Sequence, residues 1–179
     1  MGYTDPQSVN NPTSGTTFPA AWGDMVRDDL EWLARNKPHC RVYNSANISV
    51  ANNTLQALTF DSERVDVGGM HSTVSSTGRI TIPGGGAGWY DLGGCIEYAA
   101  NSTGSRGLSI RLNGTTYIAA SQPGAATSPD VTQVLVATKY QLVAADYLEL
   151  VARQTSGGAL NANASAAFSP EFWATWVAV

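Results

Sequence analysis

The chain has 179 residues, 10 basic against 14 acidic side chains, and a formal net charge of −4. Charged residues make up only 13%, about half the usual share of a soluble domain. Eight Arg and two Lys are scattered with no basic stripe to neutralise phosphates, and no apolar run approaches the roughly 20 residues of a bilayer span, so nucleic acid and membrane are excluded as partners.

Residues 1–18, MGYTDPQSVNNPTSGTTF, offer almost nothing to bury and read as an extended arm that orders only against another surface. The arm lacks the positive start and apolar centre of a secretory signal, so the expected place of synthesis and assembly is the cytoplasm. Residues 19–36 are the one convincing helix. Pro19 suits a first turn, and Trp22, Met25, Val26, Leu30 and Leu33 recur at helical spacing to make one apolar stripe. Asn36, Lys37 and Pro38 stop it. A boundary after residue 38 separates this N-terminal segment, 1–38, from a domain over 39–179.

From Arg41 onward the period is two. Strands are expected at 55–60, 79–82, 89–98, 108–112, 131–137, 147–152 and 172–179, separated by Gly-, Asn- and Pro-rich turns. Asn113-Gly114 predicts a two-residue hairpin turn. The expected fold class is all-β, a sandwich, jelly roll or barrel of seven or more strands. In the last strand, FWATWVAV, Phe172, Ala174, Trp176 and Ala178 face one way, and Trp173, Thr175, Val177 and Val179 face the other. Both faces are apolar, so one fills the core and the other calls for a second cover, most economically a neighbouring subunit. Trp173, Trp176, Phe172, Val177 and Tyr90 are therefore the candidates for core and subunit interface.

Chemistry is sparse. His39 and His71 read as surface residues of loops. Gly84–Gly88 is followed by Trp89-Tyr90, where a phosphate loop needs Lys and Ser or Thr, so it reads as a connector. Asp61, Glu63 and Asp66 form the one acidic cluster of the β region; it reads as a solvated strand end, with a hard cation as the alternative. A glycoside hydrolase would need two carboxylates about 5–9 Å apart, and Asp61/Glu63 and Asp146/Glu149 are the nearest pairs in sequence. Cys40 and Cys95 read as two small buried hydrophobes, and Tyr117 and Tyr140 as the more exposed aromatics. Five N-x-S/T sequons, starting at Asn47, Asn52, Asn101, Asn113 and Asn163, read as by-products of an Asn-, Ser- and Thr-rich chain. The chain is expected to be non-enzymatic and to need no cofactor or metal.

Five segments, in order, carry a resemblance: FDSERVDVGGMHS (60–72), GRITIPGGGAGWYDL (78–92), RLNG (111–114), AADYLELVA (144–152) and the closing SPEFWATWVAV. Together they resemble the trimeric jelly roll of the tumour necrosis factor and complement globular-head superfamily. Ala145 departs from the Gly that this family often carries before Asp146. The resemblance implies a TNF-like jelly roll of eight to ten strands and a homotrimer. FPAAWGDMVRDDLEWLARNKP, residues 18–38, resembles the start of small virion structural proteins of tailed bacteriophages. That resemblance implies a protein assembled onto particles in the bacterial cytoplasm and docked on capsid or tail proteins. Phe18, Trp22, Met25, Val26, Leu30 and Leu33 would be its docking residues. Decoration of the capsid or its fibres is the first expectation, with tail attachment next. The alternative is a receptor-binding module that presents the 101–107 and 121–130 loops to a host-surface glycan or protein.

Overall fold

The computed structural model describes residues 20–165 and 169–179, with the backbone alone at Ala20 and 33–35. The expected arm, Phe18 and the side chain of Leu33 lie outside the described residues. The chain divides into two compact units, Met1–Lys37 and Pro38–Val179.

The first unit contains α1, Ala20–Arg35. Arg27 pairs with Asp24 one turn back at 3.0 Å, and the Asn36 N–H closes the last turn on the Trp32 carbonyl. Leu30 is 59% exposed, whereas Trp22, Met25 and Val26 are half-exposed.

The second unit is all β. Its strands are β1 (His39–Tyr43), β2 (Ile48–Val50), β3 (Gln56–Ala57), β4 (Ser62–Val67), β5 (Arg79–Thr81), β6 (Gly88–Tyr98), β7 (Arg106–Leu112), β8 (Thr116–Ser121), β9 (Thr132–Leu142), β10 (Tyr147–Gln154), β11 (Leu160–Ala162) and β12 (Glu171–Ala178). The larger sheet runs β2-β11-β6-β12-β1-β4, with β9 along the opposite edge of β6. The smaller runs β3-β10-β7-β8, with β5 sharing the β3 edge of β10. Every ladder is antiparallel, and consecutive strands repeatedly fall in opposite sheets, the connectivity of a jelly roll. The count of twelve exceeds the expected eight to ten because short strands such as β2, β3 and β11 carry too few residues to show a period.

Alternate residues of both sheets meet in one core. Val42, Tyr90, Leu92, Ile96, Phe172 and Ala174 come from the larger sheet; Ile80, Leu108, Ile110, Leu148 and Leu150 come from the smaller. Gly94 is needed where the sheets approach, since a Cβ there would lie 2.5 Å from Leu150. Asn113 and Gly114 both take positive φ, as the hairpin signal implied. The β7–β8 loop nevertheless has three residues, because Leu112 pairs with Thr116 and Thr115 is added to the turn. Ala145 has φ 71°, the left-handed conformation that explains why glycine suits this position.

Two tyrosines anchor the core with polar tips. The Tyr90 hydroxyl donates to the Gly86 carbonyl at 2.6 Å, and Tyr98 donates to the Gly107 and Arg153 carbonyls at 2.9 and 3.1 Å. Burial pushes the Tyr90 phenol up to about 12 and raises Tyr98 as well. A raised folded value means that the neutral form holds the fold. The contribution is complete below the ordinary tyrosine value near 10 and fades as pH rises through about 12. Unfolding midpoints in urea are therefore expected to hold up to about pH 10 and fall above it. Ionisation of all seven tyrosines near pH 10 with the fold intact would contradict this.

Candidate functional site: the outer face of the larger sheet

The last strand alternates as its sequence implied through Trp176; a register shift then sets Ala178, expected on the inner face, opposite Trp89 and exposed. Phe172 and Ala174 are fully buried and Trp176 is 8% exposed, while Trp173 is half-buried on the outer face and Val177 is 36% exposed. Tyr90, the other interface candidate, lies wholly in the core. The candidate set is thus split by parity: Phe172, Trp176 and Tyr90 point inward, and Trp173 and Val177 point outward.

Trp173 lies flat on the sheet because its neighbour on β6 is Gly93, whose missing side chain would fall 2.2 Å from the indole. Around it the outer face carries Val65 from β4, Leu135 and Ala137 from β9 and, toward one end, Trp89 from β6. Leu135 is 60% exposed and Trp89 41%. Trp89 thus belongs to this surface rather than to the core.

The next row across the sheet is ionic. Glu171, almost fully buried, receives Arg41 Nε on Oε2 and Arg64 Nε on Oε1, each at 2.7 Å, and the Arg41 terminal nitrogen closes a second bond to Oε2. The Arg64 guanidinium lies 4.5 Å over the Tyr43 ring. Both arginines are about half exposed, so solvent screens part of the attraction. Cys95 borders Glu171 across the strands; burial first, and then that carboxylate, raise its thiol. The outward charges of this face balance at zero: Arg41, Arg64 and Lys139 against Asp91, Glu97 and Glu171. An apolar patch beside a neutralised ionic row is what a face covered by another protein surface requires.

The remaining candidates are dispersed. Asp61 accepts from the Ser45 backbone N–H and hydroxyl at 2.9 and 2.6 Å. These bonds, with one from Ser62, outweigh burial and hold its carboxyl below the usual range. Asp66 accepts the Met70 and His71 N–H groups at 2.8 and 3.1 Å. Glu63 meets His71 Nδ1 at 2.9 Å. Asp61 thus serves the Ser45 turn while Glu63 and Asp66 both fix His71, and among the described residues no group of three or more His, Cys, Asp or Glu is placed to hold a metal. The reading of His71 as a surface residue is corrected: its side chain is fully buried, edge-on to Phe60, with Nε2 3.1 Å from the Thr77 carbonyl. His39 is the first residue of β1. Cys40 is buried, and burial first, with Asp66 and Glu63 behind it, raises its thiol far above the nucleophilic range. Asp146 caps the β9–β10 turn through the Val143 N–H and Asn113, whereas Glu149 sits between two arginines on the smaller sheet.

At one end of the sandwich the 101–107 and 121–130 loops form one body. Ser105 bridges to Gly124, the Arg106 N–H donates to the Pro123 carbonyl, and the Ala125 N–H to that of Gly104. Gly104 takes φ +77°, and a Cβ there would lie 2.0 Å from the Thr155 carbonyl oxygen. The fully buried Arg106 donates to the Asn101, Thr103 and Ser105 carbonyls at 2.7–3.0 Å. Glu171 and Arg106 escaped the sequence reading because their partners are set by tertiary folding.

No protein-family model matches the chain, and no curated protein matches it. Solved structures do. Murine APRIL at pH 5.0 superposes with TM-score 0.57 at 10% identity, covering 77% of this chain and 98% of that one. The globular domain of zebrafish complement 1qA gives 0.53 at 14%, covering 79% and 98%. Eiger TNF from S. frugiperda gives 0.55 at 15%, covering 81% and 96%. At these identities the likeness establishes the fold: the second unit is a TNF-like jelly roll.

Proposed function

We propose that the chain is a non-enzymatic structural protein of a tailed-bacteriophage particle. In this reading it is a homotrimer of jelly-roll heads decorating the particle exterior, on the capsid or its fibres first and on the tail second. It assembles in the bacterial cytoplasm. The outer face of the larger sheet joins the copies, and the N-terminal arm and α1 dock on other virion proteins. The observation that carries the reading is the division of the chain into a head with its own complete core and a separate helical unit. The apolar outer face around Trp173 supports self-association.

A second reading, a receptor-binding module, is favoured by the end loops. They are stapled to each other and to the scaffold, which is how a rigid recognition surface is built. The two readings are compatible in one particle. The test of the first is the protein content of purified particles: mass spectrometry is expected to find the chain in every preparation, and particles free of it would overturn the assignment.

A further inference from the structure

The outer face of the smaller sheet has a different character. Its outward charges are Arg79 on β5, Arg111 on β7, and Arg153 and Glu149 on β10, a net of +2 in a chain of net −4. Three of the ten basic side chains therefore share one face with a single acid. One row runs straight across the sheet: Arg79, Glu149, Arg111 and Tyr117, on β5, β10, β7 and β8. Three interstrand steps make this row about 14 Å long.

The geometry within the row is asymmetric. Arg111 is committed, with Nε and a terminal nitrogen each 2.9 Å from Glu149 Oε2. Arg79 is not. Its Nε stands 3.6 Å from Glu149 Oε1, beyond hydrogen-bond distance, and its guanidinium lies 4.0 Å over the Tyr147 ring. Its terminal nitrogens have no hydrogen-bond partner among the described residues. The group is 43% exposed yet held in one plane by the ring beneath it. Such a stacked fork loses little freedom on meeting a carboxylate, which it can grip with two parallel bonds. At the other end of the row Tyr117 is 44% exposed, with Arg111 6.0 Å from its ring.

We propose that this sheet face is a binding site for an acidic oligosaccharide, a chain bearing uronate-type carboxylates. One carboxylate is taken by Arg79, and the apolar face of a neighbouring sugar ring rests on Tyr117. The excess positive charge selects an anion. An extended acidic peptide is disfavoured because it would add along one sheet edge, β5 or β8, and so meet only one of Arg79 and Tyr117, whereas a sugar chain lying across the strands meets both. The site does not rest on the virion reading. Self-association through the larger sheet leaves this face open, since it lies on the opposite side of the sandwich.

The experiment measures binding of the full-length protein to a homogeneous oligogalacturonate by calorimetry. A neutral maltooligosaccharide of the same length, a heparin oligosaccharide and polyglutamate are run beside it. The oligogalacturonate is expected to bind best, more weakly as salt rises. Arg79→Gln is expected to weaken it about tenfold, and Tyr117→Ala several-fold, with thermal midpoints close to the wild type. The proposal is overturned if the oligogalacturonate does not bind, if both variants bind it as the wild type does, or if the neutral sugar binds equally. Tighter binding of heparin or polyglutamate also overturns it, and assigns the face to sulfate groups or an acidic peptide.

Discussion

Trp176→Ala is expected to cost the head about 3–5 kcal/mol, whereas Trp173→Ala, three residues earlier on the same strand, is expected to leave a folded monomer. Trp176 points into the sandwich, its ring packs against the backbone of Gly88, and its Nε1–H donates to the Ala87 carbonyl at 3.2 Å. Its removal opens a cavity and strands a carbonyl. A loss of that size is a large part of the stability of a domain such as this. Trp173 points outward onto Gly93, and its removal bares the sheet without touching the core. Sedimentation and urea melts of the two variants separate the effects. An unchanged oligomer in Trp173→Ala would take the subunit interface off this face.

Removal of residues 1–37 is expected to yield a soluble, folded head that no longer joins particles. The cut falls before Pro38 because the Pro38 carbonyl accepts the Trp176 N–H at 2.9 Å and so belongs to the head. Among the described residues the buried core lies entirely within the second unit, so the truncated chain keeps what folds it. What it loses is α1, with Leu30 59% exposed, and the polar arm ahead of it. Complementation of a gene-deleted phage with the truncated protein, followed by particle purification, measures the effect. Full occupancy on particles would move the docking surface onto the head.

The parts legible in the sequence were those governed by local rules. The parity of FWATWVAV, the left-handed turn at Asn113-Gly114 and the long apolar strands β6, β9 and β10 follow from alternation and turn chemistry. Strand β1 alternates but has only five residues, and β4 loses its alternation at the bulge that sets Arg64 between the partners of Arg41 and Val42. Those arginines belong to the Glu171 cluster, whose partners lie 130 and 107 residues away, a separation no local pattern reports. The same holds for Arg111 and Glu149, 38 residues apart. His71 was misread for a related reason: a histidine among Gly, Ser and Thr looks solvated until the loop folds it against Phe60 and Glu63. The proposed self-association surface was half legible, since the sequence showed two apolar faces on the last strand without showing which of them the second sheet would cover.

We propose a trimeric head fixed to the outside of a phage particle. Cryo-electron microscopy of particles made with and without the gene tests it most directly. A difference density of threefold symmetry is expected on the particle surface, with room for three sandwiches and with the start of each head, Pro38, nearest the shell or tail. Identical maps, or extra density inside the shell, would contradict it.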